Sequence, residues 1–130
     1  MTMDFLDRLI DLLDIQNYYA PVVSPVTVNG NSIAVTTLPT RNYHYYMDGS
    51  FNQGYAFQVS AKHEKQMLAY NTIQEISQLM GKRGLIIPSQ NDSYDFEGME
   101  ITTSPNLLMQ DEKYYIFAAT FNANLLVYKE

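Results

Sequence analysis

The fold is decided by residues 41–62, whose sequence is RNYHYYMDGSFNQGYAFQVSAK. The stretch begins with an aromatic segment, passes through a polar segment that contains glycine, and ends in residues that alternate between apolar and polar. Such alternation is typical of a strand with one buried face, and aromatic residues favour strands. We therefore expect a strand over about residues 41–46, a loop over residues 47–53 and a second strand over about residues 55–62.

The first of these strands is aromatic on both faces, apart from Asn42 and His44. A strand with two apolar faces is either central in its sheet or part of an interface. His44 is one of two histidines in the chain, and in such a strand we expect it to be packed or interfacial. The alternative, in which His44 serves as a catalytic base, would need a dry pocket around the imidazole.

Amphipathic helices are predicted on both sides of this stretch. Over about residues 2–15, apolar residues recur at helical spacing and four aspartates occupy the opposite face. The second helix covers about residues 63–80, with His63 in its solvated first turn and Gly81 just beyond its end as a C′ residue. Its inward stripe is expected to contain Ala69, Thr72, Ile73, Ile76 and Met80.

Turn residues mark the strands that precede this stretch. Residues 18–25 are expected to form a linker, because two prolines interrupt regular structure. Asn29-Gly30-Asn31 is expected to join residues 26–28 to residues 33–35 as a tight hairpin. Either Asn29-Gly30 or Gly30-Asn31 can occupy the centre of the turn, and both registers place the same apolar residues on one face.

The segment after the second helix completes the fold. Residues 85–88 are predicted to form a short strand or turn, residues 89–95 a polar loop, and residues 99–103 a strand that a turn at residues 104–106 ends. Residues 113–128 form one long strand whose odd positions face the core. The order α-β-β-β-β-α-β-β predicts a single α+β domain over residues 1–130, with two helices packed on one face of a mostly antiparallel mixed sheet.

Composition restricts the classes of function. The 130 residues carry a net charge of −6 with eight basic residues, which is a poor basis for binding nucleic acid phosphates. The absence of cysteine excludes disulfides and thiolate metal sites, and it suits folding in a reducing cytoplasm. No apolar run reaches transmembrane length, and the aspartates of the first helix are inconsistent with a signal peptide. Eleven tyrosines are typical either of contact surfaces or of aromatic strands.

No catalytic, cofactor or metal site is predicted. An acidic cluster consists of Asp92, Asp95, Glu97 and Glu100. Its spacing does not match a calcium loop, so we expect a solvated turn. Gly81-Lys82-Arg83-Gly84 lacks the spacing of a phosphate-binding loop and follows a helix instead of preceding one. Since neither a Gly-x-Ser-x-Gly elbow nor a dinucleotide-binding glycine pattern occurs, we expect a protein that is not an enzyme.

Two segments are candidates for partner contacts. The first is the glycine-bearing loop, with the candidate residues Met47, Asp48, Gly49 and Phe51. The second is the edge of the second helix, where Met67 lies within the polar arc and Tyr70 lies beside it. The alternative for the helix edge is a set of surface apolar side chains without a partner, which are common in proteins.

The order of several short motifs resembles the tail terminator family of long-tailed bacteriophages, whose members are also described as minor capsid or tail completion proteins. The first motifs are Tyr46-Met47-Asp48-Gly49, then Gly54-Tyr55-Ala56-Phe57-Gln58-Val59, and Lys62 before the second helix. Further along come Ser93-Tyr94, Ser104-Pro105 and Asp111-Glu112-Lys113-Tyr114-Tyr115. The resemblance covers about residues 41–130, whereas residues 1–40 share only a helix and a hairpin with the family.

The resemblance implies an α+β subunit that is made in the bacterial cytoplasm and assembles into a hexameric ring at the head–tail junction of the virion. The ring would cap the head-proximal end of the tail tube, in contact with the tail tube protein and with a head-completion protein. DNA would pass through the lumen without specific binding. The acidic face of the first helix is then either a solvated face or a surface that does not retain DNA. No cofactor and no membrane is implied.

Two other functions compete with this interpretation. One is another component of the head–tail connector, such as a stopper or an adaptor, which shares the ring architecture but binds on the portal side. The other is a small ligand-binding or hydrolase domain that uses His44.

Overall fold

A computed structural model describes residues 4–24, 30–38, 43–45, 47, 49–110 and 113–128, with the side chains of residues 43–45 excepted. Within these residues the chain forms two helices and six strands. In chain order they are α1 (Phe5–Asp14), β1 (Val22–Val23), β2 (Ser32–Thr37), β3 (Tyr43–Tyr45), β4 (Phe51–His63), α2 (Gln66–Met80), β5 (Tyr94–Gln110) and β6 (Tyr115–Val127). The predicted α+β class is confirmed.

The sheet is organised around β4 and β6, its two central strands. They pair antiparallel along their whole length, from Phe51 opposite Val127 to His63 opposite Tyr115. β2 and β3 follow one another along the other edge of β4, and β5 lies against the other edge of β6. Within the described chain, the one parallel pair joins β1 to β2. The sheet is therefore mixed and mostly antiparallel, as predicted.

One face of this sheet is buried, because apolar residues alternate along both central strands. The odd-numbered residues from Phe57 to Ala61 and from Phe117 to Val127 are buried, as the long-strand prediction requires. Phe57 pairs directly with Phe121, and the centres of their rings lie 5.4 Å apart. Such an aromatic pair adds about 0.5–1.5 kcal/mol to what burial alone contributes.

Both helices cover this buried face through regularly spaced apolar residues. α1 buries Phe5, Leu9 and Leu13. α2 buries the predicted stripe of Ala69, Thr72, Ile73, Ile76 and Met80. Each large apolar side chain removed from water contributes about 1.5–3 kcal/mol. That gain outweighs the repulsion of roughly 0.2–0.5 kcal/mol expected between Asp7 and Asp11 on the outer face of α1. Neither helix of the described chain is long and apolar enough to cross a membrane.

The predicted end of α2 at Met80 is confirmed, but its predicted start and the predicted C′ role of Gly81 were wrong. His63 does not lie in a solvated first turn; it is the last residue of β4, and it is buried. Pairing with β6 keeps His63 in the sheet. Because the backbone of Lys65 is also extended, with φ −94° and ψ 115°, the helix begins only at Gln66. A C′ glycine has a positive φ. Gly81 is instead the C-cap residue, with a φ of −89°, and a positive φ of 83° occurs three residues later, at Gly84.

Several loop predictions were also wrong. The predicted turn at residues 104–106 lies inside β5, where pairing with β6 is irregular. Pro105 is tolerated there because β5 is an edge strand. The supposed linker at residues 18–25 contains β1, whose two valines pair with β2. Residues 85–88 form a segment without helix or strand. β4 begins at Phe51, so the predicted loop is shorter than residues 47–53.

Two strand predictions extend beyond the described residues. β2 contains residues 33–35, which were predicted as the second arm of the hairpin. The first arm, at residues 26–28, lies outside the described residues. β3 confirms a strand within residues 41–46, and the ends of that prediction at residues 41, 42 and 46 also lie outside the described residues.

Candidate interaction surface

The turn between β3 and β4 carries the first candidate segment. The side chain of Met47 is fully exposed, and Gly49 has a φ of 92°, a conformation that favours glycine. Asp48 lies outside the described residues. Phe51 is a strand residue opposite Tyr45, and its half-buried side chain packs against the core. The accessible part of the described segment therefore consists of Met47 and the backbone at Gly49.

The first turns of α2 carry the second candidate segment. Met67 is 62% exposed and its neighbour Leu68 is 42% exposed. Tyr70 is half-buried, because its ring packs edge-on against Phe117 at a distance of 5.5 Å between ring centres. The hydroxyl of Tyr70 accepts a hydrogen bond of 2.7 Å from Nε2 of Gln74. Met67 is therefore accessible to a partner, whereas Tyr70 fixes α2 on the sheet.

The structure places these two segments at opposite ends of β4. The turn that holds Met47 adjoins Phe51, and α2 begins shortly after His63. A strand of 13 residues at about 3.3 Å per residue spans roughly 40 Å. Met47 and Met67 therefore belong to two separate surfaces of the subunit.

β5 carries an exposed apolar stretch that the sequence analysis missed. Leu107, Leu108 and Met109 are each about half exposed, and residues 101–110 contain no charged side chain. Within the described residues, β5 is an edge strand that pairs on one side only, with β6. Charges, bulges and proline commonly protect such an edge from other chains. Bulges and Pro105 are present in β5, but its second half, residues 101–110, carries no charge. The consecutive apolar residues after the supposed turn were the available sequence signal.

Asp4 acts as a structural anchor at the start of α1. One carboxylate oxygen accepts a hydrogen bond from Oγ of Ser89 at 2.7 Å, and the other accepts one from the backbone N–H of Gln90 at 2.8 Å. The Asn91 N–H and the Ser93 hydroxyl donate longer bonds, of 3.3 and 3.2 Å. Burial alone would raise the pKa of Asp4, but these hydrogen bonds outweigh it and lower the pKa below its usual value of 3.8. The bonds tie α1 to the loop that precedes β5.

The acidic cluster occupies exposed positions and does not form one turn. Asp92 lies in the loop before β5, whereas Asp95, Glu97 and Glu100 lie within the strand. The Tyr128 hydroxyl donates a hydrogen bond to the carboxylate of Asp95. Across the described parts of the chain, no three histidine or carboxylate side chains come close enough to hold a metal ion. The cluster therefore contributes surface charge.

The two histidines lie in different strands. His44 is the middle residue of β3, opposite Asn52 on β4. His63 is 8% exposed, and its Nδ1 accepts a hydrogen bond of 2.9 Å from the backbone N–H of Lys65. The ring of Tyr19 meets the imidazole of His63 edge-on, with 4.8 Å between ring centres. His63 therefore holds the junction between β4 and α2.

No protein-family model matches this chain, and no curated protein matches it. The functional interpretation therefore depends on the order of the sequence motifs and on the surfaces described above.

Proposed function

We propose that this chain is a structural subunit of a bacteriophage tail, which forms a ring on the head-proximal end of the tail tube and joins the tail to the head. The observation that carries the proposal is the full exposure of Met47 within the Tyr46-Met47-Asp48-Gly49 motif. A large apolar side chain held in water by a strand turn adds nothing to the core of its own subunit. Methionine is enriched in protein interfaces, where such a side chain gains a dry environment.

The distribution of exposed apolar residues supports an assembly with several neighbours. Subunits in a ring contact one another head to tail, so each subunit needs two different surfaces for its neighbours and a further surface for the tube. Exposed apolar side chains occur on several separate segments, among them the β3–β4 turn with Met47, the start of α2 with Met67 and the end of β5 with Leu108.

The charge of the chain supports a lumen that lets DNA pass. Asp7, Asp11 and Asp14 are exposed on α1, and the whole chain carries a net charge of −6. Tight binding of DNA depends on clustered lysine and arginine that replace counterions on the phosphates. A ring of acidic subunits would repel the phosphates, which suits a channel that must not retain DNA.

Docking to isolated particles tests the proposal against its nearest alternative. The purified protein is mixed separately with tail tubes and with DNA-filled heads, and the particles are imaged by negative-stain electron microscopy. A tail terminator is expected at one end of each tube. Binding to heads without binding to tubes would instead indicate a stopper or an adaptor, and binding to neither particle would contradict both functions.

A further inference from the structure

We propose that His63 is a proton-sensitive latch at the start of α2: the neutral imidazole holds the Lys65 backbone against the sheet, and protonation of the imidazole releases it. The inference rests on the geometry of the β4–α2 junction and is independent of the proposed tail function.

Side chains that bond to the backbone fix the chain where β4 passes into α2. The hydroxyl of Tyr19 lies 2.8 Å from the carbonyl oxygens of both Ser32 and Lys62, which share its proton. Oδ1 of Asn31 accepts a hydrogen bond of 3.0 Å from the N–H of Glu64. These contacts use a phenol and an amide, whose charges do not change near neutral pH.

The next residue, Lys65, is held by the imidazole of His63. The N–H of Lys65 donates to Nδ1 of His63, so this nitrogen carries a lone pair and the proton of the neutral ring lies on Nε2. Histidine ordinarily changes charge between about pH 5 and pH 8. Protonation places an N–H on Nδ1, so that two donors face each other across 2.9 Å. The Lys65 N–H then loses its acceptor.

The position of Lys65 makes this bond important for the helix. The carbonyl oxygen of Lys65 accepts the backbone hydrogen bond from Ala69, at 3.2 Å, that closes the first turn of α2. The same turn carries Met67 and Leu68, the exposed apolar side chains of α2. Release of Lys65 therefore loosens the turn that presents them.

Other titratable groups surround the junction. On the chain next to the imidazole, Glu64 forms a salt bridge of 3.2 Å with Lys113, and Nζ of Lys62 lies 4.6 Å from the centre of the Tyr114 ring. Tyr115 faces His63 across the β4–β6 pairing. Burial raises the pKa of Tyr19, whose ring contacts the imidazole, so that its hydroxyl stays neutral. Carboxylates ordinarily titrate near pH 4 and lysines near pH 10.

Amide hydrogen exchange measured by NMR on the full chain tests the latch. Between about pH 7.5 and pH 5, the protection of the Lys65 and Ala69 amides, corrected for intrinsic exchange, is expected to fall by about tenfold, the value of one hydrogen bond. The nitrogen shifts of the imidazole should show the Nε2–H tautomer at the higher pH. An Nδ1–H tautomer, or protection of Lys65 that stays constant over this pH range, would overturn the proposal.

Two variants isolate the titrating group. His63→Asn keeps an acceptor near the position of Nδ1 but cannot be protonated, so the protection of Lys65 should become independent of pH. His44→Asn removes the other histidine of the chain and should leave the pH dependence unchanged. A loss of the pH dependence in His44→Asn would contradict the assignment to His63. If His63→Asn fails to fold, the tautomer and exchange measurements on the unaltered chain still decide the matter.

Discussion

Asp4 joins α1 to a loop 85 residues further along the chain through a single carboxylate. Its hydrogen bonds to Ser89 and to the Gln90 backbone need the ionised form, and they hold the pKa of Asp4 below its unfolded value. A depressed pKa means that the folded state binds its proton more weakly than the unfolded state does. The stabilisation is therefore fully present above about pH 4 and is lost as the pH falls through the pKa of the folded state.

The substitution Asp4→Asn tests this anchor. At pH 7 it should lower the free energy of unfolding by about 1 kcal/mol, because a neutral amide forms weaker hydrogen bonds to Ser89 and to the Gln90 backbone than a carboxylate does. Near pH 2 the difference from the unaltered chain should shrink, because a larger fraction of Asp4 is then protonated in the folded state. Urea unfolding at the two pH values measures the difference in the free energy of unfolding between the variant and the unaltered chain. Glu97→Gln removes another exposed carboxylate and should change stability by less than about 0.5 kcal/mol. An equal destabilisation by Asp4→Asn at both pH values would contradict the electrostatic account.

Among the structural elements, the β3–β4 turn and the start of α2 offer a matched pair of variants at opposite ends of β4. Met47→Gln replaces a fully exposed apolar side chain with a polar one of similar length, so the thermal unfolding temperature should hardly change. Binding to tail tubes should fall by tenfold or more, about what an interface hot spot contributes. Co-sedimentation with tubes measures this binding.

Met67→Gln is the control at the other end of β4. If the turn docks on the tube, this variant should bind tubes as the unaltered chain does and should weaken contacts between subunits instead. Loss of tube binding in Met67→Gln, with full binding in Met47→Gln, would assign the tube contact to α2 and refute its assignment to the turn.

The exposed end of β5 makes a prediction about association. Its apolar edge lacks the charges that usually keep such strands apart, so the chain should self-associate as its concentration rises. Leu108→Lys places a charge in the middle of this edge and should abolish the association with a change in stability below about 0.5 kcal/mol. Sedimentation velocity over a range of concentrations checks both points. Association that Leu108→Lys leaves intact would place the contact elsewhere.

An element could be predicted from the sequence where neighbouring residues determine it, and could not be predicted where contacts between distant residues determine it. The alternation of apolar and polar residues along residues 113–128 identified β6 and its buried face, because the apolar positions are the ones that the fold buries. The apolar stripe of α2 was equally clear. The first residue of α2 could not be predicted, because His63 is kept in the sheet by pairing with Tyr115, which is distant in the sequence. Ser104-Pro105-Asn106 has turn chemistry, and its place within β5 depends on the edge position that β6 provides. The Asp4 anchor joins distant segments of sequence and left no local signal.

At the scale of the whole molecule, a rigid sheet carries separate candidate contact surfaces. β4 and β6 pair over 13 residues each, so the β3–β4 turn and the start of α2 are held a fixed distance apart. A subunit of this kind can bind a neighbour at one end and a different partner at the other. Such an arrangement supports the proposed functions of assembly and docking.

The most direct test of the central claim is electron microscopy of tail tubes saturated with the purified protein, with averaging of tube ends viewed along the tube axis. The account predicts a six-fold ring on one end of each tube, and tubes capped in this way should not elongate when more tube protein is added. Bare tube ends at saturating protein, or capped tubes that continue to grow, would contradict the assignment of this chain as the subunit that ends the tail.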